Sequence, residues 1–366
     1  MGREKIRDSN IELLRIFTML GVIILHYNNA DAGGGFRLVE AGSINYYLMY
    51  VLESMCIAAV DLFVLISGYF MCNSYKRGIF KPLTLLFQVI VFRELTVIAS
   101  GILHRNLSLH GIVSALIPRN YFVILYVTLY LVSPYLNLLL HAMSQKEMRR
   151  MMVILLLLFS LEPTLVDLMS EVTGTEQVDL SMVGRYGSQW GYCIVNFVLM
   201  YLVGAYLRLH PEKTDKIPTG KLCAGFGLFL AADVCWSLLN NHMTRFASRS
   251  AYEYCNPLVI CSAVILFLLF RRMQIKPSKV INTLAKGSFT VYLLHGTLLQ
   301  FLRIEQFVNK NPLIYLLHTL LGAMLIYLVC WVVYVCYDFV TSRIYRLLQS
   351  KVHFYEYEVK PAEAKG

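Results

Sequence analysis

The sequence predicts an all-α integral membrane protein, a single bundle of about ten transmembrane helices with both termini in the cytoplasm. Of its 366 residues, 57% are hydrophobic and only 15% are charged, whereas soluble domains carry about 45–50% apolar and about 25% charged residues. The mean hydropathy is +0.57. The apolar residues lie in runs of roughly 18 to 25, the length that crosses a bilayer core. These features exclude a soluble enzyme, a nucleic-acid-binding domain, a disordered chain and a disulfide-stapled secreted domain.

Ten apolar segments account for the predicted helices. Each is continuous rather than alternating, and continuous apolar segments form helices in lipid, where the backbone must satisfy its own hydrogen bonds. The first begins with Ser9-Asn10-Ile11-Glu12, which fits a capping box. We expect one membrane domain over 1–345 and a polar cytoplasmic tail over 346–366. The segments cover approximately 11–28, 47–71, 79–103, 121–140, 151–168, 191–209, 221–239, 255–270, 284–302 and 313–340.

The positions of Lys and Arg predict the orientation, because cytoplasmic loops are enriched in both residues. Of the 33 basic residues, 22 fall on the side of the N-terminus and 8 on the other side, while Arg15, Arg93 and Lys286 lie in a segment or at its edge. The bias alternates at every crossing, which supports an even number of spans and cytoplasmic termini. Topology therefore explains the net charge of +10, and no nucleic-acid partner is expected.

No motif in the sequence indicates a metal or a permanently bound cofactor. The nine cysteines form no Cys-x-x-Cys pair and show no metal-ligand spacing, so we interpret them as small hydrophobic residues within helices. A Gly-rich phosphate loop, a His-Glu-x-x-His motif and a Gly-x-Ser-x-Gly elbow are all missing from the sequence. Candidate chemistry must therefore come from polar residues inside the apolar segments, where charges are costly and usually functional.

The first segment carries Arg15 and His26, eleven positions apart. At 100° per residue this spacing places both side chains on one helix face, about 16 Å apart along the axis. Arg15 then lies near the cytoplasmic end and His26 towards the outer half. Two interpretations are open: a functional pair on one face, or an Arg that snorkels to the cytoplasmic interface and a His at the outer headgroups.

Two further segments carry charges at membrane depth. Asp61 lies near the middle of the second segment and should face a partner or a wet cavity. Arg93 and Glu94 are adjacent, so they point about 100° apart on a helix and should find partners on other helices. They form either a structural ion pair that holds helices together or a contact to substrate.

The ninth segment carries a polar stripe. Ser288, Tyr292 and His295 stand at i, i+4 and i+7 and so share one helix face. Such a stripe faces the bundle interior. There it either forms hydrogen bonds between helices or lines the wall of a site.

Together these segments resemble the membrane-bound acyltransferase-3 family, which includes bacterial O-acetyltransferases of surface polysaccharide and peptidoglycan. Residues 10–26 look like the family's opening motif with its Arg-x10-His pair, here Arg15 and His26. Residues 76–82 are a thinner version of the family's Arg-rich loop. Four more segments are similar to family motifs and follow in order over nearly the whole chain: 60–69, 121–137, 202–207 and 288–295.

The resemblance implies that an acyl group, usually acetyl, passes from cytoplasmic acyl-CoA to a hydroxyl of a cell-surface or lipid-linked glycan, such as an exopolysaccharide. The enzyme would be a multi-pass protein of the cell membrane, in contact with membrane lipid. His26 is expected to be the general base, because histidine titrates near neutral pH; His295 is the alternative base or an orienting residue. Arg15 suits the donor's phosphates. The other candidate substrate-binding residues are Asp61, Arg93, Glu94, Ser288 and Tyr292.

Two other classes of function compete with an enzyme. Ten spans with buried charges also describe a secondary transporter or a flippase of a polar or lipid-linked substrate, but the Arg-x10-His unit does not recur in the second half as an inverted repeat predicts. A membrane sensor or assembly partner with a degenerate site is the third class. Arg15, His26 and His295 argue against it, because a degenerate site would not retain all three.

Overall fold

The computed structural model describes residues 8–243 and 250–360, with backbone only for residues 240–243. Six basic residues that enter the topology count lie outside the described residues: Arg3, Lys5, Arg7, Arg245, Arg249 and Lys365. Within the described residues the α-helices are α1 (Ser9–Asn28), α2 (Gly35–Leu38), α3 (Ile44–Cys56), α4 (Ala59–Met71), α5 (Phe80–Leu103), α6 (Leu109–Ala115), α7 (Tyr121–Ala142), α8 (Gln145–Leu156), α9 (Glu162–Thr173), α10 (Ile194–Leu209), α11 (Pro211–Asp215), α12 (Thr219–Met243), α13 (Pro257–Arg272), α14 (Lys279–Lys286), α15 (Ser288–Leu299) and α16 (Pro312–Lys351). The strands are β1 (Lys76–Gly78) and β2 (Glu356–Glu358).

Within the described residues, eight helical stretches are long and apolar enough to cross a membrane. Two of them combine consecutive helices, α3 with α4 and α8 with α9, and the other six contain α1, α5, α7, α12, α13 and α16. Two shorter apolar stretches contain α10 and α15. Each of the ten predicted segments falls on one of these ten stretches. The helical, membrane-spanning architecture is confirmed, while the count of ten spans and the cytoplasmic termini stay predictions.

Three of the predicted segments are not single regular helices. The ninth is divided at Gly287, between α14 and α15. The second is interrupted at Ile57 and Ala58, between α3 and α4. The fifth contains a π-helical turn over Leu157–Leu161, immediately before Glu162 and Pro163. Because Pro163 has no N–H to donate, a turn with altered hydrogen bonding precedes it at low cost.

The predicted capping box at the start of the first segment is wrong. Helix α1 already includes Ser9, and Asp8 precedes it without a side-chain cap. The Ser9 hydroxyl instead donates to Asn282 Oδ1 at 3.0 Å and accepts from the backbone N–H of Ser278 at 2.9 Å. The Ser9 hydroxyl thus makes a tertiary contact with α14 instead of capping the N-terminus of α1, as the local sequence pattern predicted.

The prediction of a polar tail after residue 345 misses ordered structure. Helix α16 continues to Lys351, and β2 then pairs antiparallel with β1, with Arg77 opposite Tyr357. Lys76 and Glu356 form an ion pair at 2.5 Å, and the hydrogen bond from Lys76 holds the pKa of Glu356 below its usual value. The chain end is therefore attached to the loop between α4 and α5.

Helices α4 and α10 cross with their backbones in direct contact. A Cβ added to Gly68 would collide with the backbone carbonyl of Tyr201, and a Cβ added to Gly204 would collide with that of Leu65. Small residues allow this approach, which supports helix association in lipid. Both glycines fall in segments that resemble family motifs, and the structure shows that these two segments meet.

Helix α1 occupies the middle of the bundle, where it packs against α3, α4, α13, α14, α15 and α16. Its C-terminal end is covered by the loop that follows it: Gly33 N–H donates to the carbonyl of His26 at 2.8 Å. Gly33 and Gly35 lie against the backbone of Tyr27 so closely that neither position has room for a Cβ. This cover fixes the end of α1 that carries His26.

Candidate active site

His26 on α1 and His295 on α15 face each other across the seam between the two helices. Their ring centroids are 4.6 Å apart and the ring planes meet at 82°. His295 is 5% exposed, whereas His26 is partly exposed. The structure therefore brings together the two histidines that the sequence put forward as alternative bases, and it leaves His26 the more accessible of the two.

The backbone fixes the same tautomer on both rings. His26 Nδ1 lies 2.9 Å from the carbonyl oxygen of Val22, and His295 Nδ1 lies 3.1 Å from that of Val291. A carbonyl oxygen only accepts, so each Nδ1 carries the hydrogen and each neutral ring presents its lone pair at Nε2. The buried Nε2 of His295 has no hydrogen-bond partner among the described residues. Each ring is thus prepared to accept a proton at Nε2.

The residues of the polar stripe on α15 contact different partners. Ser288 lies 3.2 Å from the hydroxyl of Tyr327 on α16, and Tyr292 donates to Asn120 Oδ1, just before α7, at 3.1 Å. Tyr292 lies beside His295 with ring centroids 6.2 Å apart. Ser288 joins helices, while Tyr292 borders the histidine pair; the substrate contacts of both stay predictions.

Arg15 lies at the opposite end of α1, in a cationic cluster made of Arg15, Lys81, Tyr126 and Tyr130. Lys81 Nζ is 3.5 Å from the Tyr126 hydroxyl and 4.8 Å from the centroid of the Tyr130 ring. Arg15 is the second cation near Tyr126, and its Nε lies 3.7 Å from Glu12 Oε1. Since the Arg15 side chain is 30% exposed, the cluster offers two cations to an anion arriving from that end.

Aromatic side chains connect the cationic cluster to the histidine pair. On α7, Tyr126 stacks on Phe122 one turn away, with centroids 6.2 Å apart. Phe122 contacts Tyr292 at 5.3 Å, and Tyr292 adjoins His295. One wall therefore follows α1 from the level of Arg15 to the level of His26.

The side chain of Arg77, in the basic loop after α4, is held by contacts within the protein. It is 4% exposed, and its Nε donates to Ser133 at 2.9 Å. Its Nη1 donates to Ser74 at 2.7 Å, and its guanidinium lies 5.1 Å from the Tyr130 centroid. Arg77 thus holds the loop against α7, and Lys81, at the start of α5 just after the loop, joins the cationic cluster.

Asp61 lies on α4, which contributes neither histidine of the pair. It is fully buried, and its Oδ1 accepts from Asn196 Nδ2 on α10 at 3.1 Å. Its Oδ2 has no hydrogen-bond partner among the described residues. The structure places Asp61 at the α4–α10 crossing, and its contact with substrate stays a prediction.

Arg93 and Glu94 do not pair with each other. Arg93 Nη1 donates to the carbonyl oxygen of Ile117, after α6. The buried Oε1 of Glu94 has no hydrogen-bond partner in the described part of the chain. Neither side chain contacts His26 or His295 in the hydrogen bonds and ion pairs of the described residues, so their role in binding substrate stays a prediction.

Several residues near the site were not identified from the sequence. Asn28 at the end of α1 donates to Glu53 Oε2 at 2.9 Å, and the Tyr27 hydroxyl lies 2.9 Å from His318 Nδ1. Helix periodicity gives no sign of either contact, because each joins elements far apart in sequence. Within the described residues, no group of three or more His, Cys, Asp or Glu side chains is placed to hold a metal ion.

The bundle, the histidine pair and the cationic cluster define a class, a multi-pass membrane protein with polar chemistry inside its helices. The family model described as an acyltransferase domain, acyltransferase-3, matches residues 8–335. The chain therefore belongs to the acyltransferase-3 family and is a membrane acyltransferase. No curated protein and no solved structure matches the chain.

Proposed function

We propose that this protein transfers an acyl group, acetyl in the first instance, from cytoplasmic acyl-CoA to a hydroxyl of a cell-surface or lipid-linked glycan. The observation that carries the proposal is the histidine pair: two imidazoles 4.6 Å apart, each held by a backbone carbonyl so that Nε2 presents its lone pair. This is the arrangement that removal of a proton from an attacking hydroxyl needs.

In the proposed reaction, His26 Nε2 takes the proton of the acceptor hydroxyl while that oxygen attacks the thioester carbonyl. The tetrahedral intermediate then expels the CoA sulfur, which receives the proton from the His26 imidazolium. One C–O bond forms and one C–S bond breaks, giving an ester and free CoA thiol. His295 meets His26 edge to face and is the alternative base, because its Nε2 also presents a lone pair.

The cationic cluster is the proposed site for the phosphates of the donor. Arg15 presents a planar fork of donors that suits phosphate oxygens, and Lys81 adds a second charge. Arg15 and His26 share one face of α1, about 16 Å apart along the axis. The donor's head and its thioester can therefore lie along a single helix, beside the wall that contains Phe122.

Access for the acceptor follows from the position of His26 along α1. His26 is seventeen residues beyond Ser9, about 25 Å along the helix axis. With the basic end of the bundle in the cytoplasm, His26 lies in the outer half of the membrane. A glycan hydroxyl arriving from the outer side then meets a donor that arrives from the cytoplasm.

The test is the ester content of surface glycans. We expect mass spectrometry of glycans from a strain lacking this protein to show the loss of one ester, and complementation with the wild-type chain to restore it. His26→Ala should not restore it. His104→Ala is the matched control, because His104 is exposed and lies away from the site.

A measurement on the purified protein separates an enzyme from a carrier. Release of free CoA thiol from acetyl-CoA, with or without acceptor, is expected for wild type and not for His26→Ala. Unchanged ester content in every glycan fraction of the deletion strain, together with no thiol release, would refute the proposed function.

A further inference from the structure

A long apolar groove lies on the surface of the bundle between α5 and α16, separate from the histidine pair. Its volume is about 670 Å³, within the range of about 300–1,000 Å³ that is usual for small-ligand sites. On α5 it extends from Phe80 to Leu95, which is about 22 Å of helix. One leaflet of the hydrocarbon core is about 15 Å thick, so the groove is long enough to follow a lipid chain through one leaflet.

The polar groups in the groove wall are already satisfied. Thr84 donates to the carbonyl of Lys81 at 2.8 Å, and Thr341 donates to that of Tyr337 at 2.8 Å. The hydroxyls of Tyr337 and Tyr345 bond to each other at 2.6 Å. These groups have protein partners, and most of the other lining side chains are apolar, so the wall presents a mainly hydrocarbon surface to an occupant.

Aromatic side chains line the end of the groove nearest the basic loops. Phe354 packs on Phe80 with ring centroids 4.7 Å apart, and Tyr345 packs on Phe80 at 5.9 Å. Of these rings, the tyrosine is typical of the membrane interface, where its apolar ring and polar hydroxyl lie at the level of the head groups. A hydrocarbon chain in the groove would therefore have its head group at this end.

A basic side chain stands where that head group would lie. Ile344 and Leu348 line the groove, and Lys351 follows at i+7 and i+3 on the same face of α16. Lys351 is exposed and is the last residue of the helix. A lysine in this position extends its ammonium group into the interface, where it attracts anionic head groups.

We propose that this groove binds one acyl chain of an anionic phospholipid, in the leaflet at the basic end of the bundle, with the phosphate at Lys351. The length of the groove, the internally satisfied wall and the lysine on the same helix face carry the inference. The proposal does not depend on the acyl-transfer function, since the groove contains neither histidine of the pair.

The test is lipid retention by the purified full-length protein, measured by native mass spectrometry after extraction from membranes in a mild detergent. We expect wild type to retain one phospholipid, enriched in anionic species relative to the membrane extract. Val340→Trp and Leu83→Trp fill the groove from opposite walls, and each should lower the retained fraction about tenfold, equivalent to about 1.4 kcal/mol. Leu321→Trp is the control, because Leu321 is exposed on α16 outside the groove.

Lys351→Glu supplies an independent measurement that leaves the groove wall intact. We expect the variant to retain lipid but to lose the enrichment in anionic species, as charge reversal at the head group requires. Equal retention by wild type and both tryptophan variants, unchanged enrichment in Lys351→Glu, or a polyprenyl phosphate as the retained species would each overturn the proposal.

Discussion

His26 and His295 meet edge to face, and each directs its Nδ1 to the carbonyl of the residue four positions earlier in its own helix. The rings are therefore held by their own helices and not by each other. Removing one imidazole should leave the other in place. The two residues can accordingly be tested separately, although they touch.

We predict that His26→Ala lowers the turnover of purified enzyme by about 10²–10⁴, the usual contribution of a general base. Acetyl-CoA affinity should be unchanged, because the cationic cluster lies at the other end of α1. The measurement is thiol release with acceptor present, beside calorimetric binding of acetyl-CoA. His295→Ala should lower turnover less, since the more accessible His26 remains.

His104→Ala controls for the loss of an imidazole as such. Near wild-type turnover in folded His26→Ala protein would contradict the assignment of the base. If only His295→Ala lost activity, the base would lie on α15 and His26 would be the positioning residue.

A second prediction concerns the donor. Arg15→Ala should weaken acetyl-CoA binding about tenfold or more, because charge-assisted hydrogen bonds contribute about 1.5–3 kcal/mol. Arg15→Lys should restore only part of the affinity, since lysine lacks the planar fork. Lys81→Ala should have a similar effect, because Lys81 and Arg15 share the Tyr126 hydroxyl as a neighbour.

Titration calorimetry with acetyl-CoA is the measurement for these variants. Lys213→Ala provides the control, because Lys213 is an exposed basic residue on the same predicted side of the membrane. If Arg15→Ala bound acetyl-CoA as tightly as Lys213→Ala does, Arg15 would be an interfacial anchor only.

The parts of the structure that were predictable from sequence are those set by periodicity within one segment. Arg15 and His26 share a face of α1 because eleven residues complete three turns plus a small remainder. Composition and run length likewise give each of the apolar helices. What a single segment cannot specify is its partner, so the contact between Lys81 and Tyr126 emerges only from the packing of α5 against α7.

The wrong capping box and the contacts that local patterns did not reveal have the same physical origin. Ser9 fits a capping box by local pattern, but its hydroxyl bonds to Asn282, 273 positions away. The strand Glu356–Glu358 is only three residues long, and its hydrogen-bond partner lies beside α4, so no local alternation reveals it. Ser288, Tyr292 and His295 share one helix face as predicted, yet each of them contacts a different neighbour.

A third prediction concerns topology. The excess of basic residues predicts cytoplasmic termini and places the loop over 170–190 outside. In intact cells, a membrane-impermeant thiol reagent should label Ser181→Cys, and it should label Ser350→Cys only after permeabilisation. Wild type, with its nine cysteines, measures the background, and the reverse labelling pattern would contradict the orientation.

The last prediction concerns the crossing of α4 and α10. Gly204→Ala should destabilise the protein by about 1–3 kcal/mol, because the added methyl falls inside the backbone of Leu65, which cannot move aside like a flexible side chain. Gly227→Ala is the matched control: Gly227 lies in α12, and a Cβ there meets nothing within 4 Å. Since alanine favours helix over glycine by roughly 0.5–1 kcal/mol, the control should be neutral or stabilising. Thermal unfolding in detergent is the measurement, and equal midpoints for the two variants would show that the helices separate at no cost.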